Sequence, residues 1–302
     1  MGLAALGCRP PPPTAAPSAV TASPPAATSA EDALDDADST APEGPLELAR
    51  ALPADTRLFL AFADPFAAAD ALGRRELVER LASERAALAN NLRDNLGLDL
   101  GSPEELADFG LAPHGPGGFA ILSSAHDEEA LLFSVADRRT LRARLLDSTD
   151  HEDAVERFGA VDLHRGPDGS GVVVERGVAL FVRDWEVARG VAERLAETGE
   201  RGRLDRSSSF QAALADLSRD VDAVLFLDVP RSLDEGSDEA RLFEGLEGLG
   251  ATARIASDRV EAEVEVVLSA DAPLRAVAVT LRPPSPDGSA LERFGDTPPV
   301  MA

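Results

Sequence analysis

In Val260-Glu261-Ala262-Glu263-Val264-Glu265-Val266 apolar and acidic residues alternate without a break. Successive side chains of a strand point to opposite faces, so this run predicts a β-strand with one buried face and one wet face. Ala251–Ile255 repeats the alternation ahead of a Ser257-Asp258 turn, and Arg275–Leu281 predicts a third strand, which makes the end of the chain a meander. Val221–Leu227 is a denser apolar run and predicts a buried strand. Arg57–Phe62, entered through the turn residues Pro53-Ala54-Asp55, predicts another. Shorter runs predict strands at Gly118–Ser123, Ala130–Val135, Phe158–His164, Val172–Glu175 and Gly177–Val182, with a turn at Gly166-Pro167-Asp168-Gly169.

A second periodicity runs between the strands. From about Pro65 to Asn95 the leucines 77, 81, 88 and 92 recur near helical spacing, supported by the i,i+4 pairs Arg75/Glu79 and Glu76/Arg80. Ser102-Pro103-Glu104-Glu105 is a helix start, with Ser at the N-cap, Pro at the first turn and Glu three residues on, and Gly110 ends that helix. Further helices are predicted at Arg138–Leu146, about Trp185–Glu197 and Phe210–Leu217. Adjacent hairpins mixed with helix pairs predict an α+β fold, a largely antiparallel sheet packed by helices.

The first part of the chain has neither period. Residues 9–45 open with Pro10-Pro11-Pro12-Pro13, continue in Pro, Ala, Ser and Thr, and add Glu31, Asp32, Asp35, Asp36 and Asp38. That composition predicts a disordered tether. Just before it stands Cys8, the single cysteine of the chain, in Ala5-Leu6-Gly7-Cys8. Small and apolar residues ahead of a cysteine, then a tether, are the pattern of a lipoprotein processing site. Residues 1–8 therefore read as a truncated signal ending in a lipidation site at Cys8, with acyl chains as the membrane anchor. Residues 46–284 read as the α+β domain. Residues 285–302 read as a tail whose Leu291–Met301 loosely echoes Leu48–Phe59, the start of a second, truncated module.

Composition narrows the functions. The 302 residues carry a formal charge of −25, and every basic residue is an arginine. Such acidity opposes nucleic-acid phosphates and anionic headgroups, so no nucleic-acid partner is expected. The expected partners are a membrane, through the anchor on Cys8, and an envelope protein.

Candidate chemistry is sparse. The histidines are His114, His126, His151 and His164, and no two share a helical metal-ligand spacing. His126 and His151 sit in acidic loops. Ser207-Ser208-Ser209 lacks the Gly-x-Ser-x-Gly frame of a nucleophile and reads as a helix-entry cap. Gly115-Pro116-Gly117-Gly118 lacks the Lys-Ser/Thr of a phosphate loop and reads as a turn. Asp222 and Asp228 bracket a strand end and read as caps, and Trp185 reads as helix packing. No catalytic residue, metal ligand or cofactor is therefore predicted.

Several short motifs occur in one order: Leu52-Pro53-Ala54-Asp55-Thr56 before the first strand, Gly97-Leu98-Asp99-Leu100 before Pro103-Glu104-Glu105-Leu106, and Phe109-Gly110-Leu111-Ala112-Pro113-His114-Gly115-Pro116. Ser209–Leu214 before Val224-Leu225-Phe226-Leu227-Asp228 completes the set. Over roughly residues 46–302 this order resembles an uncharacterised family of exported bacterial lipoproteins, a domain of unknown function in tandem α+β modules. The resemblance implies an envelope location and no catalytic residues. The expected role is a non-enzymatic binding or scaffolding one. A small-molecule-binding lipoprotein and, behind it, a divergent hydrolase are the alternatives.

Overall fold

The computed structural model describes residues 41–71, 93–94, 98–122, 128–147, 155–166, 169–233, 243–256 and 259–269, all within one compact unit. Cys8, His126, His151, most of the tether, the middle of the predicted 65–95 helix, the predicted strand at 275–281 and the 285–302 tail lie outside them.

The first described element is a 3-10 helix at Pro45–Ala51, with Pro at its start where a missing N–H costs nothing. The described strands are β1 (Leu58–Phe62), β2 (Gly117–Ile121), β3 (Glu129–Ser134), β4 (Val155–Phe158) and β5 (Val161–Arg165), followed by β6 (Gly171–Glu175), β7 (Val178–Val182), β8 (Ala223–Asp228), β9 (Leu246–Ile255) and β10 (Val260–Leu268). Helices α1 (Pro65–Ala71), α2 (Pro103–Asp108), α3 (Arg138–Asp147), α4 (Trp185–Thr198), α5 (Ser208–Ala213) and α6 (Val229–Ser232) lie between them. The expected α+β class holds. No helix among the described residues is long and apolar enough to cross a membrane.

The strands form one antiparallel sheet in the order β10-β9-β8-β1-β2-β3-β7-β6-β5-β4. It is built from three local meanders, β1–β3, β4–β7 and β8–β10, joined where β3 pairs with β7 and β1 with β8. Local chemistry sets the turns. Arg176 and Gly177 both take positive φ, 47° and 72°, the geometry of a two-residue hairpin turn that matches strand twist. Ser102 caps α2 by accepting from the Glu105 N–H at 3.2 Å, as the sequence predicts.

Register divides the side chains between two faces. On one, Phe59, Ala61, Phe226, Val224, Leu132, Leu180, Val173 and Leu163 meet Leu48 and Leu52 of the N-terminal turn, α4 through Trp185, Ala188 and Val191, and α5 through Phe210. Phe210 touches Phe226 edge-on at 5.1 Å between ring centroids. On the other, Val172, Val174, Ala179 and Phe181 meet α2 and α3 through Leu106, Phe109, Leu141 and Leu145. Gly110 follows the α2 C-cap Phe109, and its backbone N–H and C=O tie the end of that helix to the start of α3.

Three sequence expectations need correction. The predicted strand Phe158–His164 is two strands, because Gly159 at φ 64° turns the chain between Phe158 and Val161, which pair directly. The predicted helix 210–217 is shorter and earlier, at Ser208–Ala213, because the cap is Ser207. And β10 does not have one buried face. Val260, Val264 and Val266 are 51%, 61% and 51% exposed: among the described strands β10 is the last of the sheet, and no helix among the described residues packs over their side of it.

Candidate functional site

Two features of the fold have the character of a site: a buried ionic cluster near the β4 edge, and an apolar sheet face at the β10 end.

The ionic cluster grows from β5. Asp162 and His164 are two residues apart, so both point to the side covered by α2 and α3, and both are nearly fully buried. Asp162 accepts from the Arg138 guanidinium at 2.8 Å and from Arg157 Nε at 2.8 Å. Burial works against its charged form, but the two arginines outweigh it and hold the carboxyl below its ordinary range. His164 is pushed the other way. Burial and the cations Arg142, Arg138 and Arg157 lower it to about 4 against the pull of Asp162, and among the described residues its Nδ1 has no hydrogen-bond partner. A general base needs reach to a substrate proton and a charge poised near working pH. Here the carboxylate is saturated by arginines and the imidazole is sealed and neutral, so the cluster ties α3 and β4 to β5.

A second buried pair was not legible in the sequence. Glu175 at the end of β6 receives both Nη atoms of Arg203, one of them at 2.9 Å. Their side chains are 2% and 5% exposed. Arg203 also donates to the Arg50 carbonyl and bridges Pro53 across the chain. The two residues stand 28 apart in arginine- and glutamate-rich sequence, and no local pattern sets this pair apart.

The remaining candidates serve the fold. His114 sits in an exposed turn with Nδ1 3.0 Å from Asp64 Oδ2, whose other oxygen caps α1 at Phe66 and Ala67. His114 and His164 belong to separate polar groups. Ser207 caps α5, accepting from the Phe210 N–H. Ser209 donates to Asp228, which caps α6 and accepts from Arg231 at 2.7 Å. Asp222 accepts from the Ile255 N–H at 2.7 Å. Trp185 is in the core under Arg165, whose guanidinium lies 5.3 Å from the ring centroid. Gly115 lies in a turn, and Gly118 is in β2, where any Cβ would meet the Leu60 carbonyl oxygen at 2.4 Å. Among the described residues no three His, Cys, Asp or Glu side chains are grouped to hold a metal.

The apolar face lies opposite the α4–α5 layer. Pairing places Leu58, Leu60 and Phe62 of β1 beside Leu227, Leu225 and Ala223 of β8, then Leu249, Ala251 and Ala253 of β9, then Val266, Val264 and Ala262 of β10. No charged residue stands among them. Burial falls across the series, from the half-buried leucines of β1, β8 and β9 to the exposed valines of β10. The α2–α3 layer that covers the other end of this side does not include them among its described core residues. Alternation in β10 made part of this face legible in the sequence. Its extent is a matter of register and was not.

No protein-family model matches the chain, and no curated protein does. Two solved structures align with it, crystal forms III and IV of TP0453. Form III gives a TM-score of 0.36 at 11% identity over 78% of this chain and 85% of that one. Form IV gives 0.37 at 11% identity, over 74% and 81%. Superpositions this loose transfer no role.

Proposed function

We propose that this chain is an envelope lipoprotein, anchored by acyl chains on Cys8, whose folded unit binds another envelope component rather than transforming a substrate. The supporting observation is the charge-free face of β1, β8, β9 and β10 on a chain of net charge −25. A large apolar patch rimmed by polar residues marks a contact surface. The acidic remainder of the molecule keeps it off nucleic acids and anionic headgroups. A ligand cleft is less well supported. Among the described residues, the cavity beside β9 and β10, lined by Ser218, Thr252 and Glu263 among others, holds about 70 Å³, whereas ligand pockets usually hold ~300–1,000 Å³.

The test has two arms. Expressed behind a complete lipoprotein leader in a bacterial host, the protein is expected to take up labelled palmitate, and Cys8→Ser to abolish uptake; label on the variant contradicts the anchor. A photoreactive side chain at position 225 is expected to give an adduct with a defined envelope component that the same group at Glu193, on α4, does not give. Equal adducts from both positions, or none from 225, contradict the binding face.

A further inference from the structure

The segment Gly44–Thr56 crosses the face of the sheet that carries Phe59 and Phe226. α4 packs on β4–β7 and α5 on β8–β10, and the 3-10 helix at Pro45–Ala51 lies over β1, β2, β7 and β8. Leu48, Ala49, Ala51 and Leu52 are fully buried there, in one core with Phe59, Ala61 and Ala120. Among the described residues, the hydrogen bonds of this segment to the rest of the chain all lead to one loop, 199–206, between α4 and α5. The Ala54 N–H donates to the Gly202 carbonyl at 2.8 Å, the Leu204 N–H donates to the Leu52 carbonyl at 2.9 Å, and Arg203 donates to the Arg50 carbonyl. The loop is the fixed side of this contact. Gly202 lies so close to the end of α4 that a Cβ on it would fall 1.8 Å from Thr198 Oγ1, and Arg176 of the β6–β7 turn donates to Glu200. Arg203 itself is held by Glu175 through both Nη atoms.

We propose that Gly44–Thr56 is a strap that opens as a unit, separately from the sheet, with Arg203 as its catch. The strap is the side free to move. Its helix is of the 3-10 kind, whose hydrogen bonds have poorer geometry, and Gly44 gives it no side-chain cap. It enters no strand ladder and makes only the isolated bridge of Pro53 to Arg203. Lifting it breaks three bonds to one loop, whereas lifting β6 or β7 breaks a ladder on each side. Desolvation offsets most of the attraction in a buried ion pair, so Arg203–Glu175 loses little when water reaches it. What Arg203 supplies is a fixed seat for the Arg50 carbonyl. Opening uncovers an apolar slot between α4 and α5, floored by Phe59, Ala61 and Ala120, whose occupant in the closed form is the strap itself. The strap is the first described element after residues 1–40, so a pull or a partner acting on that stretch reaches it before any strand. The assignment is independent of the Cys8 anchor and of the face formed by β1, β8, β9 and β10.

Native-state hydrogen exchange of the full chain reads the opening. The Ala54 and Leu204 amides are expected to share one protection factor, at least about tenfold below that of the β6 and β7 amides. Protection equal to that of β6 and β7 overturns the strap, and unequal protection at 54 and 204 overturns its opening as a unit. Glu175→Leu combined with Arg203→Met leaves no charge buried but removes the donor to the Arg50 carbonyl. This variant is expected to unfold near the parent's midpoint while protection at Ala54 and Leu204 falls about a further tenfold. Unchanged protection there, or a loss spread equally over β6 and β7, overturns Arg203 as the catch. In the Cys8→Ser protein, Ala120→Cys is expected to be labelled by a thiol reagent through the same opening that exposes Ala54. Labelling only at the rate of global unfolding overturns the slot.

Discussion

The two halves of the sheet bury their apolar residues differently. β6 and β7 lie between helices on both faces, and every residue of Gly171–Glu175 and Val178–Val182 is buried. β1 and β8 are nearly as apolar, yet only their Phe59, Ala61, Val224 and Phe226 side enters a described core. Apolar density along a strand therefore tells that both faces avoid charge, and not that both are covered. In β6 and β7 that density buys stability from two helical layers. In β1 and β8 the other side joins no core cluster among the described residues.

Mutations should separate these halves. The largest effect is expected where a charge is stranded in the doubly covered region. Arg203→Ala leaves Glu175 buried without its partner and should cost about 3–5 kcal/mol, read by denaturant unfolding. Pairing it with Glu175→Leu should recover most of that loss, since no charge then remains buried. Phe181→Ala, which removes a ring packed edge-on against Phe133 at 5.9 Å, should cost about 3–5 kcal/mol. Leu225→Ala, on the side of β8 that joins no core cluster among the described residues, should cost less than half as much. Equal losses at 181 and 225 would erase the distinction between the halves.

Acid should act on the covered half first. The folded-state value for His164 is about 4, below its ordinary 6.5. As pH falls from 6.5 the unfolded chain takes up a proton that the folded chain refuses. The full contribution of the neutral ring is therefore present above pH 6.5 and is lost down to pH 4, by roughly 3 kcal/mol at 1.36 kcal/mol per unit. Asp162, held below its ordinary range, contributes above that range and loses its contribution as pH falls further. Thermal unfolding across pH 4–7 should show the slope, and His164→Leu should flatten it; an unchanged slope in that variant contradicts the assignment. The smallest effect concerns a cap common to any helix. Ser102→Ala should cost about 1 kcal/mol by thermal unfolding.

How much was legible follows from where each property is encoded. Turn and cap chemistry is local, so the Ser102 cap, the strand at β8 and the antiparallel meanders follow from short windows. The split of Phe158–His164 rests on one glycine inside a run that otherwise reads as continuous. The exposure of β10 depends on sheet order and on which helices reach which strands, and neither is written in its own alternation. The Glu175–Arg203 and Asp162–Arg138 pairs join residues 28 and 24 apart. In a chain so rich in both charges, composition hides which pairs are buried. The site candidates named from single residues, His114, Ser207, Asp222, Asp228 and Trp185, prove to be caps, turn partners and core. The apolar face emerges only when four strands are set in register.

Thiol reactivity of single cysteines in the Cys8→Ser protein tests that face most directly. At positions 264, 225 and 174, under native conditions, reaction is expected in that order: fast at 264 on β10, slower at 225 on β8, and at 174, under α2 and α3, only at the rate of unfolding. Protection at 264 and 225 equal to that at 174 would show that the apolar face is core, and would contradict a contact surface there.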